Sequence, residues 1–125
     1  MTSTHRDPVI RTMPRPADIN LNGHIFGGWI LSQMDIAGGI ASIRVAGGRV
    51  ATVTVEAMKF HQPILITDVV SVYAEVVKTG RTSITVHMEV TAKRREEESE
   101  VKVTEGTFIY VKIDDDGRPV PLEGQ

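Results

Sequence analysis

The spacing of apolar residues divides the chain into a helical part and a strand-forming part. From Trp29 onward, apolar side chains recur every three or four residues, at Ile30, Met34, Ala37, Ala41 and Val45. This spacing stacks them on one face of an α-helix, since successive helical residues are rotated by about 100°. The pair Gly47-Gly48 is expected to end the helix, because glycine is the usual residue just past a helix terminus.

Beyond this helix the apolar period changes to two, which is typical of half-buried strands. Alternation of apolar and polar residues predicts long strands over 50–60, 69–78, 82–93 and 101–113, and a short first strand over 9–13. The pair Glu105-Gly106 interrupts the last strand and predicts a bulge. The charged run 94–100 is expected to be a solvated hairpin loop, and Asp114-Asp115-Asp116-Gly117 a turn, because the downstream glutamate of a calcium loop is missing.

One helix and an antiparallel sheet predict an α+β domain. Strands of about ten residues span roughly 33 Å, and an 18-residue helix spans about 27 Å. A curved sheet of about five or six strands can therefore wrap one long central helix lengthwise. We expect the domain to occupy residues 9–117, with a flexible N-terminal tail over 1–8 and a C-terminal tail over 118–125.

The composition of the chain excludes some kinds of chemistry and argues against some binding partners. The chain has 125 residues, a formal net charge of −2 and no cysteine, so disulfides, thiolate metal sites and a cysteine nucleophile are excluded. Its 14 basic residues are dispersed, which argues against nucleic acid. No signal-peptide region and no run near the roughly 20 apolar residues of a membrane span are present, so a cytoplasmic protein without membrane contact is expected. The four histidines show no metal-ligand spacing, and neither a metal nor a cofactor is expected.

The helix carries the residues that indicate chemistry. Gly27 and Gly28 leave backbone N–H groups bare at its positive end, where an oxyanion could be stabilised. Asp35 lies at the edge of the apolar stripe and is expected to be partly desolvated. Gly38 and Gly39 each cost about 0.8–1 kcal/mol relative to alanine, so we expect a backbone or a ligand to approach closely there.

Several separated motifs in order resemble acyl-CoA thioesterases of the hotdog superfamily, in particular the short YciA-type bacterial enzymes. The motifs are Asn20-x-x-Gly23, Gly27-Gly28-Trp29, Gln33-Met34-Asp35, Val53-x-Val55-Glu56, Met58-x-Phe60-x-x-Pro63-Ile64, Asp68-Val69-Val70 and Gly80-Arg81-Thr82-Ser83. The resemblance covers roughly residues 10–120, and several motifs in order are more specific than a single glycine pattern. It departs from the usual pattern at His24 and at His61-Gln62.

The resemblance implies a hotdog fold and hydrolysis of an acyl-CoA thioester to a carboxylic acid and CoA. By analogy, Asp35 is the catalytic carboxylate, Asn20 assists from the facing subunit, and the backbone N–H groups of Gly27 and Gly28 polarise the thioester carbonyl. Arg81, with the hydroxyls of Thr82 and Ser83, could receive the CoA phosphates, since arginine suits bidentate recognition. Dimers paired into trimers of dimers, a homohexamer, are also implied.

Three alternatives remain at this point. Asp35 could activate water as a general base or attack the carbonyl itself. A non-catalytic hotdog module could bind acyl-CoA as a sensor or assembly domain. A hydratase of the same fold is disfavoured. Such enzymes usually have a catalytic pair of Asp and His in a loop and short helix, and this sequence lacks that pattern.

Overall fold

A computed structural model describes residues 6–122, in which one helix packs against a single five-stranded antiparallel sheet. The elements are β1 (Ile10–Thr12), a short 3-10 helix (Pro16–Asp18), α1 (Gly27–Ala46), β2 (Val50–Phe60), β3 (Val69–Thr79), β4 (Ser83–Lys93) and β5 (Glu100–Lys112). The strand order is β1-β3-β4-β5-β2. The predicted α+β class, the central helix and all five strands are confirmed. Among the described residues, no helix is both long and apolar enough to cross a membrane.

The core lies between α1 and one face of the sheet. The predicted helical stripe is buried at Ile30, Met34, Ala37 and Ala41. Val45 breaks the prediction, since 41% of its surface is exposed and Ala46 is buried in its place. The helix ends at Ala46, and Gly47 follows it with a φ of 68°, which reverses the chain toward β2 as predicted. The last turn therefore no longer follows the stripe.

Strand β2 is far more exposed than a half-buried strand. Val53 and Val55 are 55% and 46% exposed, so the predicted half-burial is wrong within one chain. The physical reason is position, because β2 is the edge strand of the sheet and pairs on one side only. An apolar, unpaired edge of this length is a surface that folded proteins normally cover.

The bulge predicted at Glu105-Gly106 lies on the neighbouring strand. Gly106 pairs in register with Met88 of β4, whereas the pairing of β2 with β5 shifts between Glu56 and Lys59. Within that shift Ala57 has a φ of 55°. The absence of a side chain at Gly106 instead makes room for Met58, whose sulfur occupies the space of a Cβ.

Both ends of the described chain contact the sheet. Arg6 stacks 4.0 Å from the centre of the Tyr73 ring, although residues 1–5 of the expected tail lie outside the described residues. At the other end, the Leu122 amide donates to the Arg81 carbonyl at 3.0 Å, and the Leu122 side chain is buried. Residues 118–122 are therefore held against the sheet, and the domain limits at 9 and 117 stay predictions.

Two charged loops differ in character. The segment 114–117 is a turn as predicted, in which Asp114 Oδ1 accepts from the Asp116 amide at 2.9 Å. The loop 94–100 is not wholly solvated, because Arg94 is partly buried and lies 2.6 Å from the carboxylate of buried Asp68. The expectation of a solvated loop is therefore wrong at its first residue.

Candidate active site

The loop before α1 is organised by the side chain of Asn20. Its Oδ1 accepts hydrogen bonds from the backbone amides of Asn22 at 2.8 Å and His24 at 3.1 Å. Gly23 has a φ of 81°, a left-handed conformation that favours glycine. These contacts use the carbonyl side of the Asn20 amide, and its NH₂ group has no partner within residues 6–122.

Asn20 and Gly27 line the same open hollow at the start of α1. The hollow has a volume of about 280 Å³ and is bordered by Phe60 and His61 at the end of β2. Within residues 6–122 no side chain caps the start of the helix, and Gly27 and Gly28 are exposed. The first turn of a helix has unpaired N–H groups and a positive dipole, so this hollow, which we term the helix-start hollow, can receive a developing negative charge.

Asp35 lies in a second hollow, two turns further along α1 and roughly 12 Å from the helix start along its axis. Its carboxylate Oδ1 accepts a hydrogen bond from Thr52 Oγ1 at 2.6 Å and lies 3.0 Å from the Tyr110 hydroxyl. This hollow, of about 320 Å³, is otherwise mostly apolar, with lining residues Leu31, Ser32, Val55 and Phe108. A single chain therefore keeps the carboxylate apart from the helix-start amides.

The expected partial desolvation of Asp35 is wrong within one chain, because Asp35 is exposed. Its hydrogen-bond donor Tyr110 is the buried partner. Burial raises the pKa of the Tyr110 phenol, and the nearby Asp35 carboxylate raises it further. Tyr110 is therefore a neutral donor throughout the physiological pH range, and it holds the carboxylate in place.

Tyr110 and Thr52 are the site residues that the sequence did not reveal. The available signal was Gly38, which was expected to mark a close approach. A Cβ on Gly38 would lie 2.8 Å from Tyr110 Cζ and nearer still to its hydroxyl, so the approach is real but involves a side chain. A Cβ on Gly39 would meet no atom of the described part of the chain within 4 Å, and the partner expected at Gly39 stays a prediction.

The third group, Arg81, Thr82 and Ser83, lies in the turn between β3 and β4. The Thr82 carbonyl accepts from the Lys112 amide at 3.0 Å, and Arg81 is exposed. This turn is at the end of the sheet where α1 terminates, far from the helix-start hollow. The fold therefore brings Asn20 together with Gly27 and keeps both Asp35 and the Arg81 turn separate from them.

The outer face of the sheet carries a charged cluster that the sequence did not suggest. One ligand-type atom from each of His87, Glu89 and Glu105 lies within 4.8 Å of the others. The Lys102 ammonium is 3.3 Å from Glu89 and 3.6 Å from Glu105. Because this ammonium already compensates both carboxylates, the cluster by itself does not indicate a metal, and the expectation of no metal stays a prediction.

Comparison with known proteins gives consistent matches. A sequence model of the Thioesterase superfamily matches residues 22–99. The acyl-CoA thioester hydrolase YciA of Salmonella typhimurium is 51% identical over 120 residues, which cover 94% of this chain and 90% of that protein.

Solved structures agree with the fold. The crystal structure of the hexameric thioesterase y2039 from Yersinia pestis matches with a TM-score of 0.91 and 45% identity, covering 98% of this chain and 100% of that one. The hexameric hotdog fold thioesterase Cj0915 of Campylobacter jejuni matches with a TM-score of 0.89 and 40% identity, covering 94% and 91%. The fold is thus the predicted hotdog fold, and the chain belongs to the thioesterase superfamily, among the relatives of the YciA-type acyl-CoA thioester hydrolases.

Proposed function

We propose that this protein hydrolyses acyl-CoA thioesters to a carboxylic acid and free CoA, with Asp35 of one protomer facing Asn20 and the helix-start amides of another. The observation that carries the proposal is the Asp35 carboxylate, which Thr52 and Tyr110 hold at the mouth of a mostly apolar hollow. The YciA relative of Salmonella typhimurium is named for this activity.

The separation of the two hollows supports a site shared between protomers. Within one chain, Asp35 is exposed and roughly 12 Å from the helix start along the axis. The neighbouring surface is apolar, with Ile36, Ile40 and Ile43 exposed on α1 and Val53 and Val55 exposed on β2. A second copy that covers this surface would desolvate Asp35 and supply the missing amides.

A homodimer further assembled into a homohexamer suits this requirement. The Yersinia pestis and Campylobacter jejuni proteins are hexamers, and exposed apolar patches on soluble proteins commonly mark interfaces. In such an assembly each helix-start hollow faces the Asp35 hollow of the neighbouring protomer. Residues Asn20, Gly27 and Gly28 then act in trans with Asp35.

The chemistry follows from these groups. The thioester carbonyl oxygen accepts hydrogen bonds from the Gly27 and Gly28 amides, which stabilise the negative charge that develops on it. Asp35 removes a proton from water as hydroxide adds to the carbonyl carbon, the carbon–sulfur bond breaks, and the proton leaves with the CoA thiolate. Asn20 presents its free NH₂ group to the water or the carbonyl.

A second route uses the same residues. The Asp35 carboxylate adds to the carbonyl carbon, CoA leaves as the thiol after protonation by solvent, and water then resolves the mixed anhydride. In a single turnover in ¹⁸O-labelled water, the nucleophilic route predicts label in the Asp35 side chain after the anhydride is opened at the Asp35 carbonyl. The general-base route predicts label in the released acid alone.

The Arg81 turn is proposed as the phosphate contact of CoA. Arg81 is exposed and followed by the hydroxyls of Thr82 and Ser83, a set of donors that matches phosphate. Arg81→Ala is expected to raise KM for acyl-CoA and leave kcat nearly unchanged. The same change should have no effect on an acyl-pantetheine substrate, which lacks the nucleotide phosphates.

The activity is tested by thiol release from a panel of acyl-CoA esters, from acetyl to palmitoyl and aromatic esters. Asp35→Asn keeps the side-chain size and should reduce kcat by about 10²–10⁴-fold, the usual contribution of a positioned acid or base. Asp115→Asn, an exposed carboxylate at a distant turn, is the matched control and should be fully active. A wild-type protein that binds the esters but releases no thiol would instead be a non-catalytic acyl-CoA module.

A further inference from the structure

His61 borders the helix-start hollow and is anchored from two sides. Its backbone amide donates to the Val103 carbonyl at 2.7 Å, which fixes the chain where it leaves β2. Its ring Nε2 lies 2.9 Å from Glu105 Oε2. His61 is therefore held by a carboxylate of another strand, and it borders the same hollow as Asn20 and Gly27.

The bond to Glu105 fixes the tautomer of the ring. The hydrogen bond from His61 is the largest of the effects that hold the pKa of Glu105 below its ordinary value, so Glu105 is ionised and can only accept. The His61 Nε2 must then carry the hydrogen. In the neutral ring, Nδ1 remains as a hydrogen-bond acceptor, as in other carboxylate–histidine pairs.

The CoA thioester has a hydrogen-bond donor close to its carbonyl group. Its sulfur is followed by two methylene groups and then by the first amide N–H of the pantetheine arm. Only the carbonyl carbon, the sulfur and the two methylene carbons separate the carbonyl oxygen from this nitrogen, so binding of the oxygen at the Gly27 and Gly28 amides keeps the N–H close to the same hollow. An acceptor on the wall of that hollow distinguishes a pantetheine thioester from a simple alkyl thioester.

Resting on the proposed function, we infer that His61 is a specificity-determining residue whose Nδ1 accepts the first pantetheine N–H, and that Glu105 is the positioning residue that orients the ring. His24 and Gln62 also line the hollow. Neither of their side chains has a carboxylate partner within the described residues. From the outer face of the sheet, His87 and Lys102 also approach Glu105, at 3.8 Å and 3.6 Å.

The test compares three thioesters of one acid: the CoA ester, the pantetheine ester and the S-propyl ester. His61→Ala should lower kcat/KM about tenfold for the first two, the cost of one lost hydrogen bond of about 1.4 kcal/mol, and leave the S-propyl ester unchanged. His61→Asn should recover part of the loss, because its amide oxygen reaches the place of Nδ1. His61→Gln should not, because its amide reaches the place of Nε2.

Two further variants distinguish a role of the His61 ring from a general effect of the charged side chains around Glu105. His87 approaches the Glu105 carboxylate from the outer face of the sheet. His87→Ala should leave kcat/KM for all three esters unchanged. Glu105→Gln should lower kcat/KM for the CoA and pantetheine esters only. Equal losses on all three esters in His61→Ala, no loss in any, or recovery by His61→Gln in place of His61→Asn would each overturn the inference.

The outcome is distinguishable from failure of the proposed function. If the wild-type protein hydrolyses no thioester, the proposed function fails, and the His61 variants are compared by their affinity for a thioether analogue of acyl-CoA. The inference then predicts the same order, wild type above His61→Asn above His61→Ala. Identical affinities would overturn it.

Discussion

The Tyr110 hydroxyl lies 2.9 Å from the backbone carbonyl oxygen of Asp35 and 3.0 Å from its carboxylate Oδ1. One buried side chain on β5 thus contacts both the main chain and the side chain of one residue on α1. The carboxylate is held from the other side by Thr52 on β2. Three elements of the fold therefore determine the position of the proposed catalytic group.

Removing either hydroxyl should reduce turnover without unfolding the protein. Tyr110→Phe and Thr52→Val each delete one donor to an ionised acceptor, an interaction of about 1.5–3 kcal/mol. We expect kcat for acyl-CoA hydrolysis to fall roughly tenfold or more in each, because the carboxylate is no longer fixed. Steady-state kinetics with thiol detection measure the effect.

A matched substitution isolates the hydroxyl of Thr52. Thr52→Ser keeps the Oγ donor and should retain most of the wild-type kcat, whereas Thr52→Val keeps the volume and loses the donor. If Thr52→Val and Thr52→Ser had the same kcat, orientation of Asp35 by this donor would be ruled out.

Gly38 should be intolerant of a side chain although it lies in the middle of a helix. Gly38→Ala gains about 1 kcal/mol of helix propensity, but its Cβ would collide with the Tyr110 ring and hydroxyl. Overpacking of a core costs roughly 1–3 kcal/mol, so we expect a net loss of stability together with lower kcat. Urea unfolding at matched protomer concentration measures the loss of stability.

Gly39→Ala is the neighbouring control. Its Cβ meets no atom of residues 6–122 within 4 Å, so it should keep the helix-propensity gain without a clash against Tyr110. Equal free energies of unfolding for the two variants would show that the contact between Gly38 and Tyr110 does not limit stability.

The ion pair between Arg94 and Asp68 should be important for stability. The Asp68 side chain is 1% exposed, and its Oδ2 accepts from Arg94 and from the Leu65 amide. Arg94→Gln leaves a buried carboxylate without its cation, which typically costs about 3–5 kcal/mol.

The adjacent arginine provides the comparison. Arg95 is exposed, and Arg95→Gln should change the free energy of unfolding by less than about 0.5 kcal/mol. Thermal unfolding of the two variants side by side distinguishes them. A Tm for Arg94→Gln as high as that of Arg95→Gln would contradict a stabilising role for the pair.

Local patterns in the sequence predicted the elements, and position in the sheet explains the errors. The helical stripe from Ile30 to Ala41 and the alternation in the strands follow from the spacing of apolar residues, which short segments of the sequence are enough to show. The exposure of Val53 on β2 could not be predicted in this way, because alternation does not say which strand is at the edge. The burial of Leu122 depends likewise on contacts with a distant turn.

The sequence shows a grouping of the candidate site residues only where those residues lie close together along the chain. Gly27 and Gly28 begin the helix, and Asn20 lies in the loop just before it, so their proximity in sequence explains why one hollow contains Asn20 and Gly27. Tyr110 is 75 residues from Asp35, and pairing across β2, β5 and α1 is needed to bring them together. Gly38 signalled a close approach but could not identify the aromatic residue.

The central claim, that Asp35 and Asn20 of different protomers form one hydrolytic site, is tested most directly by complementation. Asp35→Ala and Asn20→Ala are carried on chains with different affinity tags, and hybrid oligomers are purified through both tags. Each variant alone should have little activity. A hybrid dimer contains one doubly altered site and one intact site, because a two-fold dimer has two equivalent sites, so about half of the wild-type activity per dimer should return. Hybrids no more active than the separate variants would contradict a site shared between protomers.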